Sequence, residues 1–159
     1  MSVRIALVAV FLLLVAGLAA AESVMVSVRP DRSYPESERL GFYLSGVEAG
    51  VMDVLFDSGH IVFNRAGGEE VSSTAQVVEI AVNGGAGYVV DAVVLFAPEG
   101  DGLRVRAVEY SWLRLGSGMA PRSDRLEASA LPEGEQGGTA EQGYRLGRRV
   151  GLIVAENMR

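Results

Sequence analysis

Asp57, Ser58 and His60 bring a carboxylate, a hydroxyl and an imidazole into one short stretch. These are the parts of an acyl-transfer triad. Such a triad works only when its three groups converge in space beside an oxyanion hole. Neighbours at a helix-to-strand turn do not face one another, and the chain has no G-x-S-x-G elbow. His60 is also the only histidine. A zinc site built on it would need Asp57, Glu69 or Glu70 as helpers, and the paired-ligand spacing of zinc motifs is missing. Gly84, Gly85 and Gly87 precede a strand, whereas the glycines of a phosphate loop open a helix. Glu99 and Asp101 lack the spacing of a calcium loop. These residues read as turns, so the expectation is a protein without a catalytic site, metal or cofactor.

A second group has a different character. Arg104, Arg106, Tyr110, Trp112 and Arg114, with Val108 among them, share the even-numbered side of one long strand. Arginine and aromatic residues are enriched at interaction hot spots. In an acidic chain such a row marks where an acidic partner or a glycan would dock. The competing reading is that helices cover this face, with the arginine stems lying along it and their charged ends reaching water.

The elements that must position these residues are organised around 73–97. Ser73 and Gln76 have capping-box spacing, with Val77, Val78 and Ala81 on one helical stripe after them. Asn83, Gly84 and Gly85 close that helix. From Tyr88 to Phe96 the chain is apolar at nearly every position, as in a central strand covered on both faces. Asp91 is the one polar intruder there, read as a partnered carboxylate, with a catalytic carboxylate as the alternative.

Before this stretch, Ser23–Arg29 alternates like a strand. Leu40, Leu44, Val47, Val51 and Leu55 make a helical stripe over 36–57, and 60–64 is a short strand. Gly41, Gly46 and Gly50 weaken that helix and imply close packing on a sheet. After it, 98–102 is a hairpin turn and 103–115 a long strand with a bulge near Glu109. A last strand is expected over 125–131, then a loop at 132–138. Thr139 and Gln142 cap a carboxy-terminal helix to about Asn157, buried through Tyr144, Gly147, Gly151 and Val154 with Leu146, Val150 and Ile153. The order predicts an α/β domain, an α+β sandwich whose mixed four- to five-stranded sheet packs with about three helices.

At the amino terminus Arg4 precedes an apolar run from Ile5 to Leu18, then Ala19-Ala20-Ala21. This reads as a secretory signal peptide over 1–21 with an A-x-A cleavage site, leaving 22–159 as a single domain. The run is short for a bilayer span, so no stable membrane anchor is expected after cleavage, an uncleaved anchor being the alternative. The chain of 159 residues carries a net charge of −6, and every basic residue is arginine. Losing Arg4 with the leader makes the mature chain more acidic still. That balance argues against a nucleic-acid binder. Cysteine is absent, which excludes disulfides and thiolate sites.

The element order, with Gly84, Gly85, Gly87, Tyr88, Val89 and Val90 leading into a long hairpin, resembles a small α/β envelope domain. That domain is shared by the TolB amino-terminal domain, the curli secretion channel protein and the outer-membrane activators of penicillin-binding proteins. The resemblance implies an envelope module that binds proteins and does not catalyse. The expectation is therefore an exported, non-catalytic protein of the periplasm or the secreted fraction, an assembly or accessory factor with an envelope protein or a second copy of itself as partner. A small-ligand or glycan-binding periplasmic module is the alternative, and a hydrolase a distant third.

Overall fold

The computed structural model describes residues 21–31, 38–65, 71–99, 102–130 and 139–158. The expected signal peptide falls outside the described residues up to residue 20, as do the loops at 32–35, 66–70 and 132–138.

Five strands, β1 (Ser23–Pro30), β2 (Ile61–Asn64), β3 (Tyr88–Glu99), β4 (Gly102–Arg114) and β5 (Arg122–Glu127), form one sheet in the order β2-β1-β3-β4-β5. β1 pairs in parallel with β2 and β3, while β3, β4 and β5 pair antiparallel. Parallel neighbours need a crossover, and helices supply both. α1 (Glu38–Asp57) connects β1 to β2, and α2 (Thr74–Asn83) connects β2 to β3; α3 (Ala140–Asn157) closes the chain. Among the described residues this is the mixed-sheet α/β domain with three α-helices that the element order predicts.

β3 is the hub, and its two apolar faces serve two cores. Tyr88, Val90, Ala92, Val94 and Phe96 join Val24 and Val26 of β1 and Val108, Tyr110 and Trp112 of β4 beneath α1 and α3. On the other face Val89 and Met25 pack against Val77 and Ala81 of α2. Each fully buried valine or leucine stabilises the fold by roughly 1.5–3 kcal/mol, so the larger core dominates.

The caps form largely as the sequence implies. Thr139 and Gln142 make both legs of a capping box, at 3.3 and 3.1 Å. Ser73 accepts from the Gln76 amide, but the Gln76 side chain accepts from Ser72 N–H at 3.0 Å, not from the cap residue itself. Gly85, at φ 73°, turns the chain from α2 into β3, a conformation in which a side chain is strained.

Three expectations need correction. The glycines of α1 do not meet the sheet. Gly46 and Gly50 abut Ala140, Tyr144 and Arg148 of α3, and Gly143, Gly147 and Gly151 abut Tyr43, Val47, Val51 and Val54 of α1, while nothing lies within 4 Å of where a Cβ on Gly41 would be. The two helices run parallel with their backbones in contact, which only glycine permits, and Tyr144 Oη donates to Asp53 Oδ2 at 2.7 Å across the seam. Second, the bulge sits at Arg106, because Leu95 pairs with Ala107 and Phe96 with Val105. The apolar residues change phase between Val105 and Val108, and a one-residue insertion keeps both on the core face. Third, the last strand is Arg122–Glu127, followed by a single 3-10 turn, Ala128–Ala130, in place of a strand over 125–131. Only Leu126 of β5 is half-buried, so no apolar alternation marks it, and its charges suit an edge strand.

Candidate functional site

The arginine–aromatic row does not form one surface. Tyr110 and Trp112 are only 2% and 8% exposed, stacked at 6.2 Å between centroids on the core face under the helix layer. Arg114, on the same side, is exposed at one end of β4. It pairs with Glu22 at 3.0 Å, and its guanidinium lies 5.8 Å from the centre of the Tyr88 ring. Arg104 and Arg106 are exposed near the other end. The bulge reverses the alternation, so Arg104 stands opposite Ala97, on the sheet face away from Trp112.

Tyr110 is held by chemistry of its own. Its hydroxyl donates to Asp124 Oδ2 at 3.3 Å. Burial, then the negative charge of Asp124 and that hydrogen bond, push its pKa up to about 12. The folded value exceeds that of an unfolded tyrosine near pH 10, so the associated stability is present below pH 10 and lost as pH rises towards about 12. An alkaline titration followed by tyrosinate absorbance is expected to show a late-ionising phenol that is lost in Tyr110→Phe. An unchanged titration in that variant would contradict the assignment.

The Asp57–Ser58–His60 stretch terminates α1. Ser58 Oγ donates to the Val54 carbonyl at 2.8 Å, and Gly59 N–H and His60 N–H donate to the carbonyls of Phe56 and Leu55. The serine hydroxyl is thereby directed back into the helix. Among the described residues, no three of histidine, aspartate and glutamate come together as a metal site.

What the structure does bring together lies on the other face of the sheet. α2 covers β1 and β3, and beside it, over β3, β4 and β5, runs a groove of about 430 Å³ lined by Thr74, Asp91, Val93, Glu109, Ser111, Ser123 and Arg125. The register builds it: Asp91, Ser111 and Ser123 stand side by side across three strands, as do Val93, Glu109 and Arg125. Arg125 Nη1 pairs with Glu109 at 2.8 Å. Asp91 has a side chain only 2% exposed, and its Oδ2 accepts from Arg29 Nη2 at 3.1 Å and Thr74 Oγ1 at 2.7 Å. Asp91 is thus the partnered carboxylate that its place in an apolar strand implies. Sequence reasoning noticed Asp91 and Glu109 singly and missed the cross-strand rows that place Asp91 beside Ser111 and Ser123, and Glu109 beside Arg125. The available signal was that polar residues interrupt β3 and β4 at directly opposed positions.

No family model matches the chain, and no curated protein does. Solved structures similar to it include the PelC dodecamer from Paraburkholderia phytofirmans (16% identity over 81% of this chain and 83% of that chain, TM-score 0.44). They also include lipoprotein GNA1162 from Neisseria meningitidis (15% identity, 86% and 98% coverage, TM-score 0.41) and the LpoB C-terminal domain from Salmonella enterica (14% identity, 74% and 91% coverage, TM-score 0.31). The likeness is one of loose chain outline. Among the described residues no helix is long and apolar enough to cross a membrane.

Proposed function

We propose that the chain is an exported, non-catalytic accessory protein of the cell envelope that binds a partner protein through the projecting arm of its β3–β4 hairpin. The observation that carries this reading is the mismatch between β4 and its neighbour. β4 begins at Gly102, but β5 pairs with it only from Ala107 to Trp112, so Gly102–Arg106 runs past the last strand. A strand edge of this kind takes up an extended peptide by adding backbone hydrogen bonds. Arg104 and Arg106 lie exposed on this arm of a chain whose net charge is −6, so the partner segment is acidic. Tyr110 and Trp112 lie further along β4 in the main core and are not part of this arm, and Arg114 lies at the far end of the same strand. Exposed charges of this kind act mainly on association rate and salt dependence.

A photo-crosslinking residue placed at 104, 106 or 145 in the full chain, expressed in its native envelope, tests the reading. The same discrete adduct is expected from 104 and 106, weakened by added salt, and none from 145 on α3. Equal adducts from all three positions, or none from 104 and 106, overturn it.

A further inference from the structure

α1 is apolar on two opposite sides. Its inward stripe, Tyr43, Val47, Val51 and Val54, belongs to the main core. Phe42, Ser45, Ala49, Met52 and Phe56 follow one another at spacings of three and four, and so form a second stripe facing away from it. Phe42 and Phe56 are 62% and 69% exposed; Ser45 and Ala49 are exposed between them, and Met52 is half-buried. No charged residue interrupts the stripe from Phe42 to Phe56, and Asp53 on its flank is drawn to α3 by Tyr144 Oη at 2.7 Å. α3 shows what a water-facing side looks like in this chain, with Glu141, Arg145, Arg149 and Glu156 exposed around Leu152. A helix that is apolar all round is one that is covered all round.

The stripe has the form of a surface that meets itself. Ala49 is at its centre, with a phenylalanine seven residues away on either side, roughly 10 Å along the axis. A two-fold axis at Ala49 sets Phe42 of one copy against the partner's Phe56, and the small central residue lets the two helices approach. The charges at the ends suit an antiparallel meeting. α1 has no basic residue in its last turn, where Asp57 adds to the negative end of the helix dipole. Arg39, exposed near the opposite end, is brought beside that end of the partner. Two phenylalanines at these exposures offer roughly 250 Å² per copy, nearly half of the roughly 600 Å² that each side of a small specific interface buries. We propose that the outer stripe of α1 is a self-association surface, on which a second copy of this chain docks its own α1 antiparallel. The dimer is a weak one, of micromolar affinity, because the charged outer side of α3 confines the contact to one helix. The surface shares no residue with the hairpin arm at Arg104 and Arg106, so either can fail without the other.

The chain has no cysteine, so a single introduced thiol reports its own contacts. In the full chain, expressed in its native envelope and mildly oxidised, Ala49→Cys is expected to give a disulfide-linked dimer. Ser45→Cys is expected to give at least about tenfold less, because antiparallel copies hold those positions about 12 Å apart along the axis, beyond the reach of a disulfide. Leu152→Cys, exposed on α3, is expected to give none. Phe42 is exposed, so adding Phe42→Glu to Ala49→Cys is expected to leave the urea midpoint of the dilute protein in place and to lower the crosslink at least about tenfold. Sedimentation of the purified parent is expected to show a reversible monomer–dimer equilibrium that Phe42→Glu moves to higher concentration. Ser45→Cys as efficient as Ala49→Cys, Ala49→Cys joined only to a different protein, or a parent that stays monomeric at millimolar concentration overturns the proposal. Crosslinks from positions 104 and 106 that persist despite such a result would leave the partner reading standing.

Discussion

Gly147→Ala is expected to destabilise the fold by about 2–4 kcal/mol, among the largest effects of any single methyl in this chain. A Cβ on Gly147 would lie 2.8 Å from the carbonyl carbon of Val47 and 3.0 Å from its Cα. Those are backbone atoms of a neighbouring helix, so no rotamer change relieves the clash, and α1 and α3 must separate. Separation would also open the contacts made by Gly46, Gly50, Gly143 and Gly151, and it would lift Leu146 and Val150 off the main core. Alanine's better helix propensity returns only about 1 kcal/mol. The control is Gly41→Ala, on an exposed turn of α1 with nothing within 4 Å of the new methyl. It is expected to stabilise by about 0.5–1 kcal/mol, since only propensity and unfolded-state entropy change. Urea denaturation of both variants decides the matter. The seam account predicts opposite signs for one chemical change, and Gly147→Ala as stable as the parent would sink it.

These glycines also show where the sequence stops being legible. Their presence in α1 announces a close approach, but not what approaches. That information is held in α3, whose Gly143, Gly147 and Gly151 have the complementary spacing about a hundred residues later along the chain. Elements written in local periodicity are clear. β3 declares itself by being apolar on both faces, β1 by alternation, and α2 and α3 by their capping residues. β5 is obscure because an exposed edge strand has no apolar face to show, and its charges resemble a loop. The bulge was legible in kind but misplaced, since the phase change from Val105 to Val108 locates it and the intervening polar residues distract. The groove is the least local feature of all. Asp91 is conspicuous alone, yet its partners Thr74 and Arg29 lie 17 and 62 positions away, and only the sheet order brings β1 beside β3. The arginine–aromatic row shows the converse. A run that looks continuous in sequence is divided by one inserted residue, and its aromatic members face the core.

Asp91 provides the second large effect, and its sign depends on which partner is removed. Arg29→Met leaves Asp91 with a side chain 2% exposed and only Thr74 Oγ1 donating to it. An uncompensated buried charge costs roughly 3–5 kcal/mol, and this variant is expected in that range. Asp91→Val leaves Arg29 without its carboxylate, donating only to Thr74 Oγ1 at 3.2 Å, but that side chain is 17% exposed and its long stem can carry the guanidinium towards water. A loss of about 2–3 kcal/mol is expected, partly offset because valine suits the centre of a buried strand. Combining the two removes both charges and joins the methionine and valine to the apolar surface formed by Val89, Met25 and Val77. The double variant is expected within about 1 kcal/mol of the parent, far above the sum of the single losses. Chemical denaturation of the four proteins closes the cycle. Additive losses would mean that the pair contributes nothing through its own contact, and that Asp91 is held by the surrounding strand alone. Recovery in the double variant would instead indicate that the fold tolerates an apolar pair here, and that the Arg29–Asp91 contact offsets the burial of its own charges without adding to stability.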